Sequence, residues 1–182
     1  PHGMSERGMG SAVGQVPEYI QEVTEWCKAH TPLPVFVKLT PNITDIRRPA
    51  RAAFDGGADA VSLINTINSI VSIDLDIMAP TPTVAGKGVH GGYCGPAVKP
   101  IALSMVSEIA RDPHTQNLPI SGIGGISNWR DAAEYISLGC GSVQICTAAM
   151  RYGFRIIDDL VDGLNNWMDD KSYKSLDEFR GA

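Results

Sequence analysis

Two short units near the C-terminal end constrain the fold most, because each runs from an apolar strand straight into a turn that opens a helix. They span residues 119–126 and 142–148. The small residues of the two turns are Gly124, Gly125, Cys146 and Thr147. Glycine lets a backbone approach a ligand closely, and the first N–H groups of a helix can bind an anion. Together the turns predict a phosphate site like the one formed by the last two loops of many (β/α)8 barrels. Tight turns that bind no ligand are the alternative.

The same strand–helix alternation extends over most of the chain and indicates an α/β fold. Apolar strands are predicted at residues 35–39, 60–64, 119–122 and 143–145, with helices before, between and after them. Such alternation implies a parallel sheet with right-handed crossovers, and repeated βα units favour a barrel over a Rossmann sheet. Because four strands cannot close an eight-stranded barrel, we expect strands five to eight, the second half of a (β/α)8 TIM barrel.

One long connection interrupts this alternation. Residues 67–95 are rich in glycine and proline. A loop of this length is usually a functional lid or binding loop, or it is disordered.

Composition excludes several classes of partner. The 182 residues suit one domain, and 15 Lys plus Arg against 20 Asp plus Glu give a net charge of -5. A mildly acidic chain without a basic run or a long apolar stretch argues against nucleic acid and membranes as partners.

The four cysteines lack a CxxC spacing, which predicts reduced thiols and a cytoplasmic protein. The histidines lack metal-ligand spacing, so no metal is predicted, and the missing initiator Met suggests a piece of a longer protein.

Polar residues follow the strands at the edge where barrel active sites lie. Lys38 ends an apolar run, so its ammonium group either finds an anion or lies beyond the strand in solvent. Asn65 offers a donor and an acceptor, which suits an amide-like ligand edge, although an Asx turn is the alternative. No histidine lies near Cys146 in the sequence, so Cys146 is expected to be a small neighbour of the phosphate rather than a nucleophile.

Several motifs then make the chain recognisable. They lie at residues 1–10, 38–45, 65–66, 91–103, 124–126 and 143–147. On these motifs the chain resembles the FMN-containing part of the dihydropyrimidine dehydrogenases, close to the bacterial NAD-dependent type. It is more distantly similar to the dihydroorotate dehydrogenases. The first two motifs favour the pyrimidine-reducing branch.

The resemblance implies an oxidoreductase that acts on CH–CH bonds. It would reduce uracil or thymine to the 5,6-dihydropyrimidine with FMN on a dihydroorotate dehydrogenase-like barrel, using electrons from NAD(P)H in pyrimidine catabolism. FAD, iron–sulfur clusters and the NAD(P)H site would lie elsewhere in the protein or in a partner subunit. The other half of the barrel and an oligomeric assembly are further implied partners. We expect residues 1–170 to form the half-barrel and residues 171–182 to begin a linker.

The resemblance also implies roles for single residues. Lys38 would contact the flavin, and Asn65 and Thr66 would hold the pyrimidine. The other positions that match FMN-binding residues are Gly95, Ile123, Gly124, Gly125, Cys146 and Thr147. The family's general-acid cysteine would come immediately before Pro1, so none of the four cysteines takes that role, and His2 would orient its loop.

Two alternatives to this function remain. The first is a dihydroorotate dehydrogenase, whose substrate carries a carboxylate that needs a partner. The second is a non-catalytic, truncated half-barrel that binds flavin or phosphate.

Overall fold

The structure is a computed structural model and describes the backbone of residues 11–182 and the side chains of residues 13–182. The motif at residues 1–10, His2 and the cysteine expected before Pro1 therefore lie outside the described residues. In chain order the elements are α1 (Ser11–Gln15), α2 (Pro17–His30), β1 (Phe36–Lys38), α3 (Arg47–Asp55), β2 (Ala60–Leu63), β3 (Ile67–Ser69), β4 (Ser72–Asp74), β5 (Ala79–Thr81), β6 (Thr83–Val84), β7 (Lys87–Gly88), β8 (Gly91–Tyr93), α4 (Lys99–Ala110), β9 (Ile120–Ile123), α5 (Trp129–Ser137), β10 (Ser142–Gln144), α6 (Thr147–Tyr152) and α7 (Ile156–Lys171).

A four-stranded parallel sheet, in the order β1-β2-β9-β10, forms the centre of the fold. The register aligns Lys38 with Ser62, Ser62 with Ser121, and Ser121 with Ser142. Neighbouring residues in such a row point to the same face of a sheet, so this face carries a polar row. The four strands predicted from the sequence are present in the predicted chain order.

The opposite face of the sheet packs against the helices and forms the core. Val61 and Leu63 of β2 are fully buried there, as is Tyr135 of α5. The hydroxyl of Tyr135 donates a hydrogen bond of 2.7 Å to the carbonyl of Gly124, so its burial leaves no polar group unpaired. This contact connects the core to the turn that follows β9.

Two apolar segments are only partly buried. In the strand predicted at residues 35–39, Phe36 is 57 % exposed, because β1 is an edge strand of the described sheet. In α4, Ile101 is 42 % exposed, and the buried stripe runs through Ala102, Val106 and Ile109. That helix begins at Lys99, after a short 3-10 turn.

The long connection folds into three antiparallel ribbons rather than an irregular loop. The pairs are β3 with β8, β4 with β5, and β6 with β7. Ala85 and Gly86 join the last pair with φ angles of 49° and 75°, the positive pair that a type I′ hairpin turn requires. Large apolar residues of this arm, among them Val71 and Leu75, are exposed.

Residues after α7 pack back onto the molecule. Phe179 is 4 % exposed and lies edge-to-face on Trp167 of α7, with ring centroids 5.0 Å apart. Tyr173 stacks on Phe179 at 5.4 Å. Whether a domain ends at residue 170 and a linker begins there stays a prediction. Across residues 11–182, no helix combines the length and the apolar character needed to cross a membrane.

Candidate functional site

A cleft at the carboxyl ends of the four strands brings the predicted site residues together. All nine line it, at the places where β1, β2, β9 and β10 end and where the segment after β8 returns. These residues are Lys38, Asn65, Thr66, Gly95, Ile123, Gly124, Gly125, Cys146 and Thr147. The structure places these residues together; their roles stay predictions.

The turn after β9 depends on its two glycines. Gly124 and Gly125 have φ angles of 143° and 73°. A Cβ atom on Gly125 would lie 2.9 Å from the carbonyl oxygen of Gly95 and 2.9 Å from Cβ of Lys99, so the turn packs directly on the segment after β8. No acceptor in the described part of the chain contacts the backbone N–H of Gly124 or Gly125. Both donors are therefore available to a ligand in the cleft.

Asp131 anchors the backbone just after this turn. Its Oδ2 accepts hydrogen bonds from the backbone N–H groups of Ser127 at 2.8 Å and Asn128 at 3.1 Å, and from both side chains. Its Oδ1 accepts a bond of 2.6 Å from Nζ of Lys99, which also reaches Glu134 at 2.8 Å. The pair Lys99–Asp131 thus joins the start of α4 to the start of α5.

Opposing effects act on the pKa of Asp131. Burial alone would raise it, but the hydrogen bonds from Lys99 and Ser127 outweigh burial and leave the pKa below its usual value. The same contacts raise the pKa of Lys99, since its bonds to Asp131 and Glu134 favour the charged ammonium. Both groups are charged at neutral pH.

At the second turn, Thr147 touches a cysteine that the sequence did not single out. Its hydroxyl donates to Sγ of Cys94 at 3.4 Å, across the cleft wall. Cys94 and Cys146 are both exposed free thiols that line the cleft. The contact joins the segment after β8 to the start of α6.

On the other side of the cleft, backbone bonds fix the end of β2. The N–H of Asn65 donates to the carbonyl of Leu39 at 2.9 Å, and the N–H of Ile64 donates to that of Ile123 at 2.7 Å. Lys38 is exposed and forms no ion pair with any residue of the described part. The sequence predicts that its ammonium group either finds an anion or lies in solvent. No anion of the described chain pairs with it, so the group is open to solvent or a ligand.

Asn42 positions the segment that carries Thr66. Its side-chain Nδ2 donates to the carbonyl of Thr66 at 3.1 Å, while its Oδ1 accepts from the N–H of Asn68 at 2.9 Å. The Asn42 side chain therefore bonds two backbone groups, one in the β2–β3 connection and one in β3. Sequence reasoning placed Asn42 in a motif at residues 38–45 but assigned it no function.

Sequence reasoning also missed two polar side chains of the cleft. Gln144, at the end of β10, donates from Nε2 to Oγ of Ser121 at 2.9 Å. Arg151 lines the cleft from α6, four residues after Thr147. This i, i+4 spacing was the available signal, since such residues share one face of a helix.

Comparison with known proteins identifies the family. The sequence profile described as dihydroorotate dehydrogenase matches residues 7–168. The chain belongs to the dihydroorotate dehydrogenase family. This family has the (β/α)8 barrel fold, so the four-stranded parallel sheet is part of such a barrel, as the sequence predicted.

The curated relatives confirm the resemblance drawn from the motifs. The chain is 44% identical over 178 residues to the NAD-dependent dihydropyrimidine dehydrogenase subunit PreA of Escherichia coli K12, covering 98% of the chain and 43% of that protein. It is 42% identical to the chloroplastic dihydropyrimidine dehydrogenase (NADP(+)) of Arabidopsis thaliana, covering 100% of the chain and 43% of that protein.

A relative from the other branch is slightly less similar. The catalytic subunit of dihydroorotate dehydrogenase B (NAD(+)) from Pyrococcus abyssi is 41% identical, over 96% of the chain and 56% of that protein. The chain spans about half the length of the curated relatives it matches. These relatives are dehydrogenases that act on pyrimidines.

Proposed function

We propose that the protein containing this chain is an FMN-dependent dihydropyrimidine dehydrogenase that reduces uracil or thymine at the 5,6 double bond. One observation carries the proposal. A single cleft holds a lysine, an Asn–Thr pair and a glycine turn with free N–H donors, each at the end of a different strand. The similarity to two dihydropyrimidine dehydrogenases supports this branch.

The donor set of the cleft fits FMN. The N–H groups of Gly124 and Gly125 suit a phosphate, as do the small residues Cys146 and Thr147 opposite them. Lys38, exposed and without a described ion pair, would stabilise negative charge on the flavin ring. When bound, FMN supplies hydride transfer to one carbon of the pyrimidine double bond. A cysteine preceding Pro1 would supply the proton to the other carbon.

Asn65 and Thr66 would hold the pyrimidine. An amide side chain presents a donor beside an acceptor, which matches the alternating C=O and N–H groups of uracil. Asn42 supports this role, because its two hydrogen bonds hold the backbone of residues 66–68 in place. A site that pairs polar groups rejects analogues lacking them far better than an apolar pocket does.

The electrons would come from NAD(P)H through FAD and iron–sulfur clusters outside this chain. The NAD-dependent relative from Escherichia coli and the NADP(+) enzyme from Arabidopsis thaliana support a nicotinamide donor, and PreA, being a subunit, supports a multi-subunit organisation. We further propose an oligomeric, cytoplasmic enzyme with the remaining half of the barrel and an iron–sulfur and FAD-binding domain or subunit as partners.

Dihydroorotate dehydrogenase is the second candidate, favoured by the 41% identity to the Pyrococcus abyssi catalytic subunit. Ligand titration of the full-length, flavin-loaded protein separates the two candidates. Uracil and thymine should perturb the visible flavin spectrum at lower concentrations than orotate. Asn65→Ala should weaken uracil binding, while Asn68→Ala, on the exposed ribbon, should leave it unchanged. Orotate displacing uracil at equal concentration would contradict the proposal, and a spectrum that no pyrimidine perturbs would favour the non-catalytic half-barrel.

A further inference from the structure

Arg151 is a cation of the cleft that the proposed function leaves without a role. It lies on α6, one helical turn after Thr147, and it lines the same cleft. Residues four apart share one face of a helix, and helical side chains lean towards the N-terminus. The Arg151 side chain is therefore directed over the turn that holds Cys146 and Thr147.

Some arginines in this chain have carboxylate partners, whereas others, Arg111 among them, have none among residues 13–182. Arg47 pairs with Asp45 at 2.8 Å, and Arg51 pairs with Asp112 at 2.7 Å. Arg151 is exposed and has no carboxylate or hydrogen-bond acceptor among residues 13–182. Its five N–H donors are open to a ligand.

The surroundings of Arg151 favour an anion. No described residue lining the cleft is acidic, and the charged side chains of that lining are Lys38 and Arg151. The free N–H groups of Gly124 and Gly125 lie in the same cleft. An arginine fork combined with backbone donors is the usual recognition of a phosphate monoester.

The two cations lie at opposite edges of the sheet. Lys38 ends β1 and Arg151 follows β10, with β2 and β9 between them. Three interstrand steps of about 4.8 Å separate these edges by roughly 14 Å. A ligand that engages both cations therefore needs two electron-rich ends separated by roughly that distance. A flavin ring with a phosphorylated side chain has two such ends.

We propose that Arg151 binds the terminal phosphate of the flavin and thereby makes the cleft select FMN over riboflavin, which lacks the phosphate. This inference rests on the proposed function, since it assumes a flavin in the cleft. It assigns Arg151 to recognition of the phosphate and gives it no part in the chemistry at the ring.

The test compares FMN and riboflavin binding to the full-length protein after its flavin is removed, by quenching of flavin fluorescence. Arg151→Gln should weaken FMN binding about ten- to hundredfold, as expected for charge-assisted hydrogen bonds, and leave riboflavin binding unchanged. Arg151→Lys, which keeps the charge but loses the fork, should lie between. Added salt should weaken FMN binding less in Arg151→Gln than in the wild type.

Arg111→Gln is the matched control. Arg111 is an exposed arginine that follows α4, at the opposite end of the strands from the cleft, and should change neither affinity. Equal loss of FMN and riboflavin affinity in Arg151→Gln, or no loss of either, would overturn the assignment while leaving the proposed function in place. A wild-type protein that binds neither flavin would overturn both.

Discussion

The charge of Lys38 gives the first test at the scale of single residues. Because it is exposed and unpaired in the described chain, Lys38→Met should leave the free energy of unfolding of the full-length protein nearly unchanged. Loss of the cation should lower the flavin midpoint potential, since reduction places negative charge on the ring. A unit charge at close range contributes about 1–4 kcal/mol in a surface environment. For two electrons that is a shift of tens of millivolts, at roughly 30 mV per 1.4 kcal/mol.

The potential is measured by dye-equilibrated reduction of wild type and variant. Lys87→Met removes an exposed cation from the ribbon arm and serves as the control, because that residue does not line the cleft. A potential equal to that of the wild type in Lys38→Met would remove Lys38 from the proposed flavin contact.

Gly125 provides a second test at this scale. Gly125→Ala places a Cβ atom 2.9 Å from the Gly95 carbonyl in a backbone with φ of 73°. Gly86→Ala imposes nearly the same backbone, with φ of 75°, but its Cβ meets nothing within 4 Å. Urea unfolding should show a loss of about 1 kcal/mol for Gly86→Ala, from the backbone conformation alone. Gly125→Ala should lose clearly more, together with flavin affinity, and equal losses would show that the turn does not pack tightly on the segment after β8.

At the scale of elements, Asp131 connects α4 to α5. Asp131→Asn removes the charge that Lys99 contacts and one of the acceptors for the N–H groups of Ser127 and Asn128. Removing one partner of a buried ion pair typically lowers the free energy of unfolding by about 3–5 kcal/mol. Because Lys99 is partly exposed, we expect a loss of about 3 kcal/mol or less. Asp45→Asn, which breaks the exposed pair with Arg47, should change stability little. Equal effects of the two substitutions would contradict the anchoring role of Asp131.

The lowered pKa of Asp131 also predicts how stability depends on pH. A carboxyl whose pKa is lower in the folded state binds fewer protons there than in the unfolded state. Its contribution is therefore fully present above the unfolded value of about 3.9 and is lost as the pH falls through the folded value. The stability difference between wild type and Asp131→Asn should be constant from about pH 5 to 7, because this range lies at least about one pH unit above the unfolded pKa. The difference should shrink in more acidic buffers. A difference that grows as the pH falls would contradict this sign.

Individual elements show what the sequence could predict. α5 lies between the third and fourth predicted strands, where a helix is expected, and local chemistry defines its start, since Asn128 and Asp131 form a capping box. β1 was predicted, but its burial was not, because burial depends on which strand lies at the edge of the sheet. The ribbons of residues 67–93 were missed since antiparallel pairing joins residues far apart in sequence, such as Ile67 and Tyr93.

The cleft residues also divide into those that the sequence predicts and those that it misses. Residues at strand ends converged as expected, because the carboxyl ends of parallel strands meet at one edge of a sheet. Asn42 and Arg151 were missed for another reason. One acts by bonding the backbone of a different loop, and the other lies a full helical turn away from its motif.

At the scale of the whole molecule, the described half-barrel exposes large apolar side chains. Phe36 on the edge strand, Met150 on α6 and Phe154 after it are 57 %, 84 % and 82 % exposed. The 182-residue chain alone should therefore associate and unfold without a sharp transition. Urea unfolding followed by circular dichroism and size-exclusion chromatography test this. A monomer with a single sharp transition would show that this half folds independently.

The central claim is that the cleft holds FMN and serves dihydropyrimidine chemistry. Its most direct test is the visible absorption spectrum of the full-length protein, before and after anaerobic addition of dihydrouracil. We predict a flavin spectrum that bleaches with dihydrouracil and stays unchanged with dihydroorotate. A colourless protein after careful purification, or a flavin that only dihydroorotate bleaches, would contradict the claim.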